Sequence, residues 1–313
     1  RKRNKQLLVG LVTTILVVAL FAIVYWDGMY RNIETRYGEI VKKYGWMVGV
    51  EELSKEQAMH RGTHYLFIRK GRWSKYAYRI EARDGYDKLT TEHTMGAYIL
   101  NQYDDSDTGA DKEMKEKLGR VCQWELVGDR TGEFLLQERA LDKDGNLIFS
   151  YNRSKSRTDG KIMGCYTAEL GFPIVLRDSC YFYLRTTIDS LGHEVHMDFF
   201  NDKGLPITNK DSAFQTANTY FPNGRKRSVE SLFLNGNRMI DRAGNCGWEI
   251  LKCSEDGYRD EISIYYDAEG KPCRVKDDNT MVKKWEYDEY GRLIKETYWK
   301  VSDVTQNKEY YKI

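Results

Sequence analysis

The sequence predicts a mainly β protein: an antiparallel β-meander repeat array behind a single N-terminal transmembrane helix and a short juxtamembrane helix. Three observations predict it. A long uncharged run opens the chain, glycines preceded by turn formers recur in a rhythm, and the segments between them alternate apolar and polar residues. Composition agrees. Of 313 residues, 13% are aromatic, with 23 Tyr and 7 Trp, 26 are Gly and only 4 are Pro, as suits strands joined by tight turns. With 49 basic against 47 acidic residues there is no basic excess, which argues against a nucleic-acid surface.

The first element spans residues 1–27. Four basic residues within Arg1–Lys5 precede the uncharged run Leu7–Trp26. About 20 apolar residues in a helix cross the ~30 Å hydrocarbon layer. Tyr25 and Trp26 close the run, where interfacial aromatics belong. "FAIVYWDG" lacks the small-x-small pattern of a signal-peptidase site, so an uncleaved anchor in the bilayer through residues 7–26 is expected. Arg31, Arg36, Lys42 and Lys43 follow the span but are diluted by acids. The denser leader therefore places the N-terminus in the cytoplasm and the remainder outside.

Residues 28–60 read as a helical linker, because Ile33, Tyr37, Ile40, Val41 and Tyr44 recur at three- and four-residue steps. Residues 61–130 read as a β-rich region with one short helix, in which acids interleave Lys112, Lys115 and Lys117 before Gly119. Residues 131–313 form the array. Gly160, Gly192, Gly224, Gly257 and Gly291 make one series at intervals of 32 to 34; Gly171, Gly204, Gly236 and Gly270 make a second. Glycine is needed where φ is positive, and an Asp or Asn just before it can bond back to the turn. After Gly192, Val195, Met197 and Phe199 alternate with Glu194, His196 and Asp198, the pattern of a half-buried strand. Each unit is expected to hold about three strands.

"WEYDEYGRLIKETYW" (285–299) resembles the Tyr-Asp (YD) repeats of rearrangement-hotspot proteins of bacterial surfaces and secretions, and "YYDAEGKPCRVKDD" and "FFNDKGLPITNKDS" resemble a related bacterial variant. The likeness covers residues 130–300. It implies elongated β-sheet spirals or shells used for display, encapsulation or binding, and it brings no catalytic residue with it. The simple form repeats at about 21 residues, whereas here two unequal turns alternate over about 33.

Several constellations invite chemistry, and each has a plainer reading. His193 and His196, three apart on a strand, face opposite sides. His60 and His64, with Glu56, would share a helix face, but "HYLFI" already reads as strand. Asp105, Asp107, Asp111 and Glu116 match four positions of a calcium loop, yet Gly109 and Ala110 stand where a ligand and the turn glycine belong. The aromatics fit a sheet interior better than a sugar-stacking platform. Six cysteines form no C-x-x-C pair; their even number fits an oxidising compartment and leaves pairing open. No catalytic, cofactor-binding or metal-binding residue is assigned.

The expected function is that of a membrane-anchored extracytoplasmic binding or scaffolding module at the bacterial envelope, held in the inner membrane, with a protein or glycan partner and no nucleic acid. The alternative is a sensory or regulatory subunit of a larger membrane complex, its span contacting partner helices.

Overall fold

The structure, a computed structural model, describes residues 2–92, 116–156, 158–174, 182–209, 211–276 and 280–300. It opens with helix α1 (Lys2–Met29). From Val12 to Met29 this helix is apolar enough and long enough to cross a membrane, and almost none of that stretch is buried against protein. Among the described residues, the strands after it form one antiparallel sheet of sixteen.

The linker expected to be helical is instead a β-hairpin. Strands β1 (Asn32–Lys43) and β2 (Trp46–Leu53) pair from Arg36–Leu53 to Lys43–Trp46. The two residues between them, Tyr44 and Gly45, have φ of 52° and 79°. Positive φ at both central residues is the mark of a two-residue turn whose twist matches the flanking strands. The helix-like spacing misleads because Ile33, Tyr37, Ile40, Val41 and Tyr44 are β-branched or aromatic, and Gly45 supplies the turn. Only α2 (Lys55–His60) is helical, closed at its start by a reciprocal capping box between Ser54 and Gln57. His64 has left the helix, as expected, and lies on β3 (Thr63–Lys70).

The chain then meanders. Strand β4 (Arg79–Asp84) is followed by β5 (Gln123–Gly128), β6 (Leu135–Leu141), β7 (Leu147–Lys155) and β8 (Ile162–Thr167). Next come β9 (Tyr183–Ile188), β10 (Glu194–Phe200), β11 (Gln215–Tyr220) and β12 (Lys226–Leu232). The last four are β13 (Gly247–Cys253), β14 (Asp260–Tyr266), β15 (Val282–Tyr287) and β16 (Leu293–Trp299). Each strand from β4 onward pairs with its sequence neighbours; β1 is inserted between β2 and β3, so β2 and β16 are the sheet edges among the described residues. Strands on both sides of residues 60 and 130 belong to the one sheet. The short helix expected near residue 115 is represented by a helical turn at 116–118; residues 93–115 lie outside the described part, and with them Asp105, Asp107 and Asp111.

The glycines of both series, from Gly160 to Gly291, all have φ between 69° and 89°. At Gly291 the N–H donates to the Asp288 carbonyl (3.0 Å), and the Asp288 N–H donates to the Arg292 carbonyl (3.0 Å). One Asp288 carboxylate oxygen accepts from the N–H groups of Tyr290 (3.0 Å) and Arg292 (2.9 Å). This explains Tyr-Asp-x-x-Gly-Arg: the aspartate that closes the turn stands three residues before the glycine, not beside it. Asp189, Asn201 and Asp267 do the same at Gly192, Gly204 and Gly270. Where that position is not Asp or Asn, Asn223, Asn235 and Asp256, immediately before the glycine, accept from the residue after it. Register shifts beside the turns at Glu194/His196, Thr219/Tyr220 and Glu286/Tyr287 fit a hairpin whose left-handed glycine opens a bulge.

Each unit has two full strands rather than three. The third shrinks to one bridge after each second-series turn: Thr167–Pro173, Phe200–Pro206, Leu232–Arg238 and Tyr266–Pro272. Proline lacks an N–H and cannot extend a ladder, so at three of these sites the stub ends as it begins.

The largest core is a lateral row of facing residues. Phe67 pairs with Ile80, Ile80 with Trp124, Trp124 with Ala140 and Ala140 with Phe149, all buried. The neighbouring row is ionic: Arg139 reaches Glu125 across the strands at 2.6 Å. Alternation therefore sorts the two faces, as period-two patterning requires.

Candidate functional site: a cavity between the N-terminal hairpin and the array

The β1–β2 hairpin lies across the row of first-series turns. The Tyr44 N–H donates to the Gly192 carbonyl (2.7 Å), and its hydroxyl to the Ser190 carbonyl (2.7 Å). Lys43 packs on Gly224. Glu51 takes guanidinium groups from Arg61 and from Arg259, just past the Gly257 turn. His60 stacks on Tyr290, ring centroids 4.7 Å apart. The hairpin and α2 thus touch four successive repeat turns. Glu51 holds φ at 60°, a conformation costly for a side-chain-bearing residue.

Beneath this contact is a cavity of about 740 Å³. Its walls include Tyr65, Trp124, Phe149, Tyr151, Tyr166 and Trp248. Charged groups enter in three sets. Glu138 bonds Arg153 (3.1 Å) and faces Lys42 (3.7 Å), while the Arg153 guanidinium lies over the Tyr151 ring. Burial alone would raise the Glu138 pKa, but Lys42 and Arg153 outweigh it and hold the carboxyl below its ordinary range. Arg225 pairs with Asp260 and donates to the Gly257 carbonyl at 2.8 Å.

The third set is unpaired. The side chains of Glu39 and Lys226 make no hydrogen bond or ion pair among the described residues. Burial raises the Glu39 pKa, opposed by Arg61 and Arg225. Burial lowers the Lys226 pKa, opposed by Glu194. Lys226 keeps free surface, and it is a lining residue of the cavity. Tyr220 beside it donates its hydroxyl to the Glu194 carbonyl at 2.8 Å. The arrangement can hold an elongated, largely apolar or aromatic ligand and meet one anionic group with the Lys226 ammonium.

The histidines serve elsewhere. Buried His193 pairs its Nδ1 with Asp189 (3.0 Å) and stacks on Tyr220, while His196 Nε2 lies 3.4 Å from Asp198. His60 is on α2 and His64 is buried on β3, 3.4 Å from Asp87. Among the described residues no group of three His, Cys, Asp or Glu is placed to hold a metal. Cys122, Cys165, Cys246, Cys253 and Cys273 are free thiols. Burial pushes Cys122 and Cys273 up to about 11, which leaves little thiolate at neutral pH.

Sequence reasoning missed Glu39 and Lys226. "YGEIVKK" reads as a charged helix face and "NGRKRS" as a solvated basic turn. Only the fold-back of the hairpin brings both to the wall of one cavity.

No protein-family model matches this chain, and no curated protein is significantly similar to it.

Proposed function

We propose that this chain is a membrane-anchored binding module whose β-repeat head takes a ligand into the cavity under the N-terminal hairpin. The observation that carries the reading is an aromatic-walled cavity lined by two ionisable side chains, the half-buried Glu39 and the exposed Lys226, left without ion-pair partners among the described residues. A few convergent polar groups in an apolar pocket are the usual signature of a ligand site. On this reading α1 is the anchor, the dense basic leader stays in the cytoplasm, and the head works outside the bacterial inner membrane. The array is a two-turn, roughly 33-residue variant of the YD repeat, used for binding rather than catalysis.

The cavity predicts affinity for aromatic anions. In the detergent-solubilised chain, anilinonaphthalene sulfonate should give saturable fluorescence enhancement, weakened about three-fold or more by Lys226→Met, the loss expected for one charge-assisted contact that water still reaches. Lys203→Met, on an exposed turn, is the control and should bind as the parent does. Equal binding in Lys226→Met, or no saturable binding at all, overturns the reading.

A further inference from the structure

The end of α1 and the loop between β3 and β4 are built as one unit. The Trp73 N–H donates to the Gly28 carbonyl (3.3 Å) and the Gly71 N–H to the Arg31 carbonyl (2.7 Å). The approach is too close for side chains. A Cβ on Gly28 would stand 2.5 Å from the Trp73 ring, and one on Gly71 would strike the Gly28 carbonyl oxygen. The Tyr25 and Trp73 rings meet edge to face at 6.1 Å. Asp27, at the same end of the helix, binds Arg31 (3.0 Å) and Arg72 (2.8 Å).

This locked unit displays an unusual surface. Trp26 is 64% exposed, Trp73 62% and Tyr30 51%. Arg31 and Arg72 are exposed beside them, and two guanidiniums against one Asp27 carboxylate leave a positive balance. Amphipathic aromatic rings with arginines between them are unfavourable facing bulk water. They are favoured in the headgroup layer, where the ring body meets hydrocarbon and guanidinium meets phosphate. The collar continues directly from the apolar helix, at the end where a spanning segment leaves the bilayer.

The geometry points to the β3–β4 loop as a membrane-contact element: Trp73 and Arg72 sit in the phospholipid headgroup layer with Trp26, Tyr30 and Arg31, and set the head directly on the bilayer in one orientation. This rests on the reading of α1 as a membrane span. The ligand is the phosphodiester headgroup region of a phospholipid bilayer.

The test places the photoreactive residue benzoylphenylalanine at position 73, at position 21 within α1, and at position 205 on a repeat turn. The full chain is reconstituted in phosphatidylethanolamine–phosphatidylglycerol vesicles carrying an alkyne-tagged phospholipid, irradiated, and read as lipid adduct per protein. All three positions are exposed and large in the parent chain, so the substitutions are mild. Labelling at 73 of the same order as at 21, and well above 205, is the expected result. Labelling at 21 with 73 no higher than 205 overturns the membrane contact and leaves the span standing. Failure at 21 overturns the span reading and the contact together.

Discussion

Tyr44 donates its backbone N–H to the carbonyl oxygen of Gly192, 2.7 Å away, so the first hairpin of the sheet is bonded to a repeat turn far along the chain. A Cβ on Gly192 would lie 2.5 Å from the Tyr44 ring, and the glycine's φ is 85°. Gly204 has a φ of 73° but open space around it. Gly204→Ala should therefore cost only the backbone strain, about 1–2 kcal/mol. Gly192→Ala should cost roughly 1–3 kcal/mol more, because the ring must also move. Urea unfolding of the two variants checks the difference; equal costs would mean that Tyr44 is not seated on the turn.

The ionic contact of Glu51 with Arg259 is the second tie between hairpin and array. Their side chains are only 10% and 13% exposed, and Glu51 also holds Arg61. Removing one partner leaves Glu51 with Arg61, or Arg259 with Asp256 (2.7 Å), so the cost should be about 1–3 kcal/mol. Glu51→Gln and Arg259→Gln should each fall in or near that range, and the double variant should cost much less than their sum. Strict additivity in the double-mutant cycle would show that the pair is not formed.

Gly49, which the sequence places in a linker, is a strand residue of β2 facing Ile40 of β1. A Cβ there would stand 2.2 Å from the Tyr37 ring. A valine at this position, harmless in a linker, should instead destabilise by roughly 1–3 kcal/mol through overpacking. A thermal or urea midpoint matching the parent would restore the linker reading.

Acid should weaken the head through His64. Burial lowers its pKa from the ordinary 6.5, against the opposing pull of Asp87. The sign follows from proton uptake. As pH falls through 6.5 the unfolded chain takes the proton first, so the neutral folded form loses ground. The contribution is complete above that value and declines below it, until the folded state titrates too. His64→Gln should flatten this part of the stability–pH curve; an unchanged slope would exonerate His64.

The repeat turns were legible because their demands are local. Positive φ calls for glycine, a turn needs an acceptor, and both recur at Asp189/Gly192 and Asp288/Gly291. The apolar helix was legible for the same reason. The β1–β2 hairpin was not, since Ile33, Tyr37, Ile40 and Val41 fit a helical step as well as a strand that is covered by different neighbours along its length. Strand β14 shows the same difficulty from the other side: Ile262, Ser263 and Ile264 are all buried, so alternation in sequence does not report which face is inside. The cavity was beyond reach because Glu39 and Lys226 come to line it only when distant segments meet. No local pattern encodes the touch of Lys43 on Gly224.

The place where α1 joins the sheet has a mechanical consequence. The helix runs within two residues into β1, an interior strand held by β2 from Arg36 to Lys43 and by β3 from Asn32 to Tyr37. Tension arriving through the helix acts along that strand, at right angles to the ladder bonds. The bonds then share the load and must shear together. Pulled instead from β16, which has a ladder partner on only one side, the sheet would peel one bond at a time. The helix is joined to the sheet through an interior strand, and the sheet frays from the other end.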